Sequence, residues 1–464
     1  MKRSNSYLIS VALVVAAVMP AAAQEQTKVA VATDPKTTPA TAPAPADTPV
    51  TKPLRFAPPP IEIQHYRPQD RRGLNVFESP KEEGAAYTGF KLSWGAAFTQ
   101  QYQSLKHSNT ADARLVNGVN ANNLIEIGSG FNNAVANLYM NAQLARGIRV
   151  SLNSNLSSRH HNEAWVNDGF LLIDASPFDV DALNTLMKYL TLRVGHFEIN
   201  YGDAHFRRTA NGNAMYNPFV GNYIMDAYTT EIGAEAYVRA NGWLAMAGMT
   251  GGEIRGQVSK PNDRSMTYLG KLGWDKQVNS DTRVRLTGSV YAKAKSVNNT
   301  LFSGDRAGSR YYSVMENTTS TESAQAWSGA IQPGFKSAVH AIVFNPFVKF
   351  RGLELFGNIE QAKGRAATEL TDRTWRQNVG EVVYRFLDDQ LYVGGRYNTA
   401  KGELAGITGD VKVQRYQLGG GWFVTPNILM KGEYVNQKYL DFPSTDIRNG
   451  GKFNGIMVEG VVAF

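Results

Sequence analysis

Positively charged residues alternate with apolar ones in segment after segment of this sequence. Arg193 stands between Leu192 and Val194, and Lys431 follows Met430. In a β-strand alternate side chains point to opposite faces, so each cation lies on the face away from its apolar neighbours. If that face meets water, a series of such cations could attract and sort small ions. By this parity the polar, inward-facing basic residues are Arg149, Arg193, Lys271, Arg283, Arg285, Lys293, Arg396, Arg415 and Lys431.

Acidic residues fall on the same polar faces but are fewer. They are Glu231, Glu235, Glu354, Glu360, Glu433 and Glu459. The balance of nine basic to six acidic residues predicts a slight preference for anions. The alternative is that several of these residues sit at strand ends, in the headgroup zone of a membrane. The formal net charge of +8 is also modest, and it does not indicate nucleic-acid binding.

A second charged group lies in a segment without alternation, residues 200–228. It comprises Asp203, His205, Arg207, Arg208 and Asp226. If the strands are counted correctly, this segment is the third long loop on one side of the protein. Folded inward, charges of both signs would set up a field across the opening and would filter solutes by size and charge. The alternative is an ordinary exposed loop.

Residues with the spacing of a catalytic or metal site do not stand out. His160 and His161 lie near Glu163, but a zinc site needs three or four converging ligands. The sequence has no Walker loop, dinucleotide fingerprint or nucleophile elbow. It also has no cysteine, which excludes disulfides and thiol catalysis. We therefore predict no catalytic residue, no metal and no cofactor.

The alternation itself predicts an all-β protein. Its clearest unit is a hairpin, in which residues 133–145 and 148–158 alternate on either side of the tight turn Arg146-Gly147. The apolar faces are thin and rich in Ala and Gly, whereas the opposite faces are rich in amides and hydroxyls. A soluble sandwich would need large interlocking residues there, but a membrane barrel turns one face to lipid and the other to a wet interior. We therefore predict a transmembrane antiparallel β-barrel.

About sixteen such segments follow one another, and single-chain bacterial barrels have an even number of strands. Their connections alternate between short and long, which is typical of these barrels. The predicted strands are 90–103, 133–145, 148–158, 165–174, 189–199, 229–239, 243–252, 265–275, 283–293, 338–349, 353–363, 374–386, 391–400, 412–423, 428–439 and 453–464.

The sequence before the barrel divides into three parts. Residues 1–23 predict a secretory signal peptide, with a basic start, a short apolar stretch and a cleavage site at Ala21-Ala22-Ala23. Residues 24–60 are rich in Pro, Ala and Thr, which predicts a disordered segment. Residues 61–86 are polar and irregular and stay unassigned. The predicted barrel occupies residues 87–464.

The last predicted strand ends in an aromatic residue. Counting back by twos from Phe464 gives Val462, Gly460 and Val458 on one face. This pattern resembles the terminal signal by which the barrel-assembly machinery recognises outer-membrane proteins. We therefore expect Val458, Val462 and Phe464 to interact with that machinery.

Two stretches resemble the family of bacterial porins that includes the phosphate-selective porins O and P. One is Leu192-Arg193-Val194-Gly195-His196-Phe197, followed by Tyr201-Gly202 and Arg207-Arg208; the other begins at Pro426-Asn427 and runs to Phe464. The resemblance implies a sixteen-stranded, trimeric, passive channel. The sequence has no match for the family's phosphate-binding basic ladder, so phosphate selectivity does not carry over.

These observations together predict a porin in the outer membrane of a Gram-negative bacterium. Its expected partners are outer-membrane lipid, the barrel-assembly machinery, small hydrophilic or anionic solutes and two further copies in a homotrimer, but no nucleic acid. The first alternative is a channel specific for phosphate or sugars. The second is a non-conducting adhesin or structural barrel. An enzyme is the weakest reading, because no Ser-His-acid grouping follows from the spacing.

Overall fold

The computed structural model describes residues 60–81, 85–132, 134–157, 163–254, 258, 260–303, 311–321 and 329–464. The predicted signal peptide, and all of the predicted disordered segment except Pro60, lie outside the described residues. In the described part of the chain, no helix is both long enough and apolar enough to cross a membrane.

Sixteen long strands make up most of the described chain, and each predicted segment overlaps one of them. The alternating pattern therefore located the strands correctly, with shifts of a few residues at their ends. In chain order the strands are β1 (Lys91–Ser108), β2 (Val135–Ala145), β3 (Ile148–Ser157), β4 (Glu163–Ile173), β5 (Leu190–Glu198), β6 (Thr230–Ala240), β7 (Trp243–Thr250), β8 (Thr267–Gln277), β9 (Thr282–Lys293), β10 (Ala338–Phe350), β11 (Leu353–Arg365), β12 (Arg373–Phe386), β13 (Leu391–Glu403), β14 (Asp410–Thr425), β15 (Ile428–Leu440) and β16 (Lys452–Ala463).

The strands form one closed antiparallel sheet. Each strand pairs with its neighbours in the sequence, and β1 pairs with β2 on one edge and with β16 on the other. The closing register runs from Ala97 opposite Ala463 to Ser108 opposite Lys452. Closure leaves no edge strand with unpaired main-chain groups, which a membrane would not tolerate. The predicted antiparallel barrel is confirmed.

The two faces of the barrel differ in polarity as the parity predicts. On β8, Leu272 is 71% exposed whereas the adjacent Lys271 is 1% exposed, and on β14, Leu418 is 62% exposed beside Gln417 at 1%. Large apolar side chains thus cover the outer surface, and polar side chains point inward. Such an outer surface is stable against acyl chains and would be unfavourable in water. The chain is a transmembrane barrel.

The connections at the two ends of the barrel differ in length. At one end, the short-turn end, the strand pairs β2–β3, β6–β7 and β14–β15 are joined by only two residues each. In the first of these turns Gly147 has a φ of +63°, and a Cβ there would lie 2.4 Å from the Cβ of Ala175. The exception at this end is the β4–β5 connection, which contains a short helix, α1 (Asp181–Met187). The connections at the opposite end include 109–134, 199–229 and 294–337.

Candidate pore and its constriction

The nine predicted basic residues all lie on the inner face of the barrel. Seven of them are buried, and Arg193 and Arg283 are partly exposed. The six predicted acidic residues are also buried on the inner face. Successive side chains of a strand point to opposite faces, and the apolar residues of these strands face lipid. The basic and acidic residues that alternate with them therefore face the lumen.

The third long connection, residues 199–229, lies inside the barrel, and we call it the inner loop. Its main chain is hydrogen-bonded to side chains of the far strands: Val220 N donates to Glu433 at 2.7 Å, and Ile224 N donates to Asn398 at 2.7 Å. Thr99 of β1, two strands from β15 around the closed barrel, donates to the carbonyl of Gly212 at 2.7 Å. The inner loop leaves β5 and returns to β6, which lie opposite β13 and β14 in the ring of sixteen strands, so it crosses the lumen.

Asp203 of the inner loop lies in a buried cluster of opposite charges. Its carboxylate is 2.7 Å from Lys271 Nζ and 2.8 Å from Arg285 Nε, and Glu78 is 3.2 Å from Lys271 and 2.9 Å from Arg285. Burial alone would raise the pKa of Asp203, but the adjacent Arg285 and Lys271 outweigh it and lower the pKa to about 2. Arg285 also lies 3.0 Å from Asp275, which Arg283 contacts at 2.7 Å. Three cations and three carboxylates thus neutralise each other in one place.

Arg207 of the inner loop reaches two acidic residues of the barrel. Its guanidinium is 3.6 Å from Glu354 and 3.5 Å from Glu381, and it also donates to Asn75. Burial opposes the charge, yet Glu381 and Glu354 raise the pKa of Arg207 above its ordinary value. Arg396 of β13 approaches Glu381 from the other side at 2.8 Å. This group joins the inner loop to β11, β12 and β13.

The remaining predicted loop residues form separate pairs. Arg208 and Asp226 are joined by two hydrogen bonds of 3.0 and 2.6 Å, and both lie in the inner loop itself. His205 is 3.3 Å from Glu198, and burial lowers the pKa of its imidazole against the opposing effect of that carboxylate. The five residues predicted at a constriction therefore share one loop inside the lumen but do not converge on a single point.

Lys431 and three further inner-face cations make two kinds of contact in the lumen: ion pairs with carboxylates and hydrogen bonds to main-chain carbonyls. Lys431 is paired with Glu459 at 2.7 Å. Lys431 also donates to main-chain carbonyls of the inner loop. Arg149, Lys293 and Arg415 donate to main-chain carbonyls as well, for example Arg149 to His65 O at 2.8 Å. Among the described residues, no carboxylate lies at ion-pair distance from these three cations.

Residues 60–81 lie across the short-turn end of the lumen, and we call them the mouth segment. Their buried side chains include Ile63, Asp70, Asn75 and Phe77. A short 3-10 turn, Arg71–Gly73, is capped by the Asp70 side chain. The sequence left this segment unassigned because it has no periodicity, and nothing in its composition indicated that it enters a barrel.

Two cavities lie beside the inner loop and the mouth segment in the described part of the lumen. A cavity of about 20 Å³ lies between the inner loop and strands β10 to β13, lined by residues such as Arg207, Glu360 and Arg396. A larger cavity of about 130 Å³ lies between the mouth segment and strands β4 to β6, beside Arg193 and Arg239. The smaller cavity has room for little more than one water molecule.

The residues of the predicted assembly signal face outward. Val458 is 41% exposed, Val462 is 37% exposed and Phe464 is 55% exposed. Phe464 continues the pairing of β16, since its N–H and carbonyl exchange 3.0 Å hydrogen bonds with Ala96. The exposed side chains of Val458, Val462 and Phe464 therefore lie on the lipid face of the barrel.

Sequence reasoning missed several charged residues of the lumen. Glu381 and Arg385 have the inward parity of Gln377 in the predicted strand 374–386, so the alternation could have found them. Glu78 and Asn75 could not be found, because the mouth segment has no period. Among the described residues, no group of three or more His, Asp or Glu side chains could hold a metal ion.

Comparison with known proteins finds likeness in structure but not in sequence. No family model and no curated protein matches this chain. An anion-selective porin from Comamonas acidovorans is similar with a TM-score of 0.49 and 12% identity, over 81% of this chain and 100% of that one. A loop-deletion mutant of OmpT from Vibrio cholerae has a TM-score of 0.48 and 10% identity, over 81% and 100%. OprB from Pseudomonas putida has a TM-score of 0.47 and 10% identity, over 81% and 94%. At these values the likeness carries no information on solute or selectivity.

Proposed function

We propose that this chain is an outer-membrane porin that mediates passive diffusion of small hydrophilic solutes. The observation that carries the proposal is the contrast between the two faces of a closed barrel, apolar towards lipid and charged towards the lumen. A polar path enclosed by a lipid-facing wall gives hydrated solutes a route across a membrane. The same contrast, with alternating short and long connections, supports an outer-membrane location.

The charges inside the lumen support selection by charge as well as by size. Arg207 of the inner loop and Arg396 of β13 form ion pairs with Glu381 and Glu354 of the neighbouring strands β12 and β11. Charges of both signs beside a solute path would act on charged solutes. Arg149, Lys293 and Arg415 have no carboxylate at ion-pair distance in the part of the chain that the structure describes, and this favours a weak preference for anions.

Finer features of this function rest on the sequence. We propose a homotrimer, interaction with the barrel-assembly machinery through Val458, Val462 and Phe464, and kinship with the phosphate-selective porins O and P. A channel function accounts for the charged lumen, whereas an enzymatic function does not.

Planar-bilayer recording tests the proposal. Substituting Arg207 and Arg208 by Ala should change the single-channel conductance or the ion preference, because both lie in the lumen. Arg376→Ala is the matched control, since this exposed arginine donates to Gln361 on the outer surface. A folded barrel that conducts neither as the full chain nor without residues 60–81 would contradict the proposal. Saturation by a single solute would indicate a substrate-specific channel.

A further inference from the structure

The mouth segment contacts most of the circumference of the barrel at the short-turn end. Gln64 bonds Gln143 and Gly147 at the β2–β3 turn, each at 2.9 Å, and Arg71 N donates to Pro426 O of the β14–β15 turn at 2.9 Å. Between these points, Lys81 donates to the carbonyl of Asp174 at 2.6 Å, after β4. A segment held at these positions lies across the opening at this end of the barrel.

The contacts of the mouth segment inside the lumen are polar for the most part. Arg283 donates to the carbonyl of Asn75 at 2.9 Å, and Arg67 donates to the carbonyl of Phe206 at 2.9 Å. The apolar contacts centre on Phe77, which packs edge-on against Phe206 and Phe347 at 5.7 and 5.5 Å. Water can replace hydrogen bonds of this kind when the segment leaves, so the segment is not held as a hydrophobic core would be.

The barrel does not need the mouth segment in order to close. β1 pairs with both β2 and β16, and no residue of the segment belongs to a described strand. Withdrawal of residues 60–81 therefore breaks no hydrogen bond between strands. The segment is joined to the barrel on one side only, through the residues that lead to β1.

Glu78 of the mouth segment is one of the carboxylates that face Lys271 and Arg285. Burial alone would raise the pKa of Glu78, but Arg285 and Lys271 lower it well below the ordinary value, so it is ionised. Asp203 supplies another carboxylate from the inner loop, and Asp275 of β8 supplies a third, which Arg283 shares. Without Glu78 the three cations would face two carboxylates, and this part of the lumen would carry a further positive charge.

We propose that residues 60–81 are a plug that leaves the lumen when the pore opens, and that Glu78 determines the ion preference. Seated, the segment closes the short-turn end and neutralises Lys271 and Arg285. Withdrawn, it uncovers these two cations and gives the open pore a preference for anions. The inference rests on the proposed porin function.

A reversible cross-link tests whether the segment must move. The chain has no cysteine, so Arg71→Cys with Pro426→Cys would introduce the only pair. The 2.9 Å main-chain hydrogen bond between these residues brings their backbones within the range that a disulfide spans. We expect the oxidised double variant to conduct at least about threefold less than the reduced one, since the disulfide keeps the opening filled. Each single-cysteine variant serves as the control.

Removal of the segment or of its carboxylate tests the second half of the proposal. A variant without residues 60–81 should conduct at least about threefold more than the full chain, because its opening is unobstructed. Glu78→Gln, which removes only the carboxylate, should shift the reversal potential in a salt gradient towards anions. Asp388→Asn is the control, because it removes an exposed carboxylate from a turn at the same end of the barrel.

The outcomes separate this inference from the porin function. Equal conductance of oxidised and reduced double variants would overturn the plug. An unchanged reversal potential in Glu78→Gln would overturn the role of Glu78. If the full chain, the reduced double variant and the shortened chain all failed to conduct as folded barrels, the porin function itself would be wrong. The cross-linked full-length chain keeps the test valid if the shortened chain does not fold.

Discussion

The inner loop and the mouth segment both fill the lumen, but they are attached in different ways. The inner loop is covalently joined to β5 and β6 at its two ends and buries apolar residues such as Phe219, Val220 and Ile224 completely or almost so. The mouth segment is joined to the barrel on one side and has only a few buried apolar residues. This difference in attachment is the basis on which we propose a permanent constriction in the inner loop and a removable plug in the mouth segment.

The largest expected effect comes from detaching the inner loop. Glu433 accepts hydrogen bonds from Val220 N at 2.7 Å and Gly221 N at 3.3 Å. Glu433→Ala would leave these buried donors without a partner and should reduce the free energy of unfolding by about 3 kcal/mol. Conductance should rise as well, because the loop loses two of its hydrogen bonds to β15 and, among the described residues, keeps only those from Lys431. Thermal unfolding and bilayer recording measure the two effects.

Glu433→Gln is the control for this variant. Its amide oxygen can still accept both main-chain N–H groups, so the unfolding temperature should fall much less than in the alanine variant. If Glu433→Ala unfolded like the unmodified chain, the inner loop would be no more firmly held than the mouth segment.

A smaller effect should appear at acid pH through Asp203. Its pKa of about 2 is lower than the value of about 3.9 in an unfolded chain. A lowered pKa stabilises the folded state above the unfolded value, and this stabilisation is lost as the pH falls through the folded value. Between about pH 5 and pH 2 the free energy of unfolding should fall by roughly 2 kcal/mol in the unmodified chain through this group. The Asp203→Asn variant should not show this loss. Unfolding by denaturant at both pH values would measure the difference, and identical pH profiles would contradict it.

The smallest effect on stability should come from the mouth segment. Phe77→Ala removes its edge-on contacts with Phe206 and Phe347. Because no hydrogen bond between strands depends on the segment, we expect the free energy of unfolding of the barrel to change by less than about 1 kcal/mol. Conductance should nevertheless increase, since the plug is held less firmly. A large loss of barrel stability would show that the segment is part of the core.

The barrel could be predicted from the sequence because each strand carries its own signal. In β8 and β14 the alternation of Lys271 with Leu272 and of Gln417 with Leu418 fixes which side faces lipid without any knowledge of the neighbouring strands. The same parity placed the nine cations on the inner face. It would have placed Glu381 and Arg385 there too.

The contents of the lumen could not be predicted in the same way. Glu78 meets Lys271 and Arg285 across more than 190 positions of sequence, and no local pattern records such a contact. The pairing of Arg208 with Asp226 within the inner loop, rather than across the lumen, also depends on how an irregular chain folds inside a closed surface. The alternation in a periodic segment predicts which side chains face lipid and which face the lumen, whereas an irregular segment carries no such pattern.

The position of the mouth segment at one end makes the pore asymmetric. Residues 60–81 contain four basic and three acidic side chains, so the segment has a net charge of +1 when His65 is neutral. An applied voltage therefore exerts a force on it. We expect rectification: currents should be larger when the short-turn side is electrically negative, because that polarity pulls the segment outward. A barrel inserted in the opposite orientation should show the mirror-image current–voltage curve.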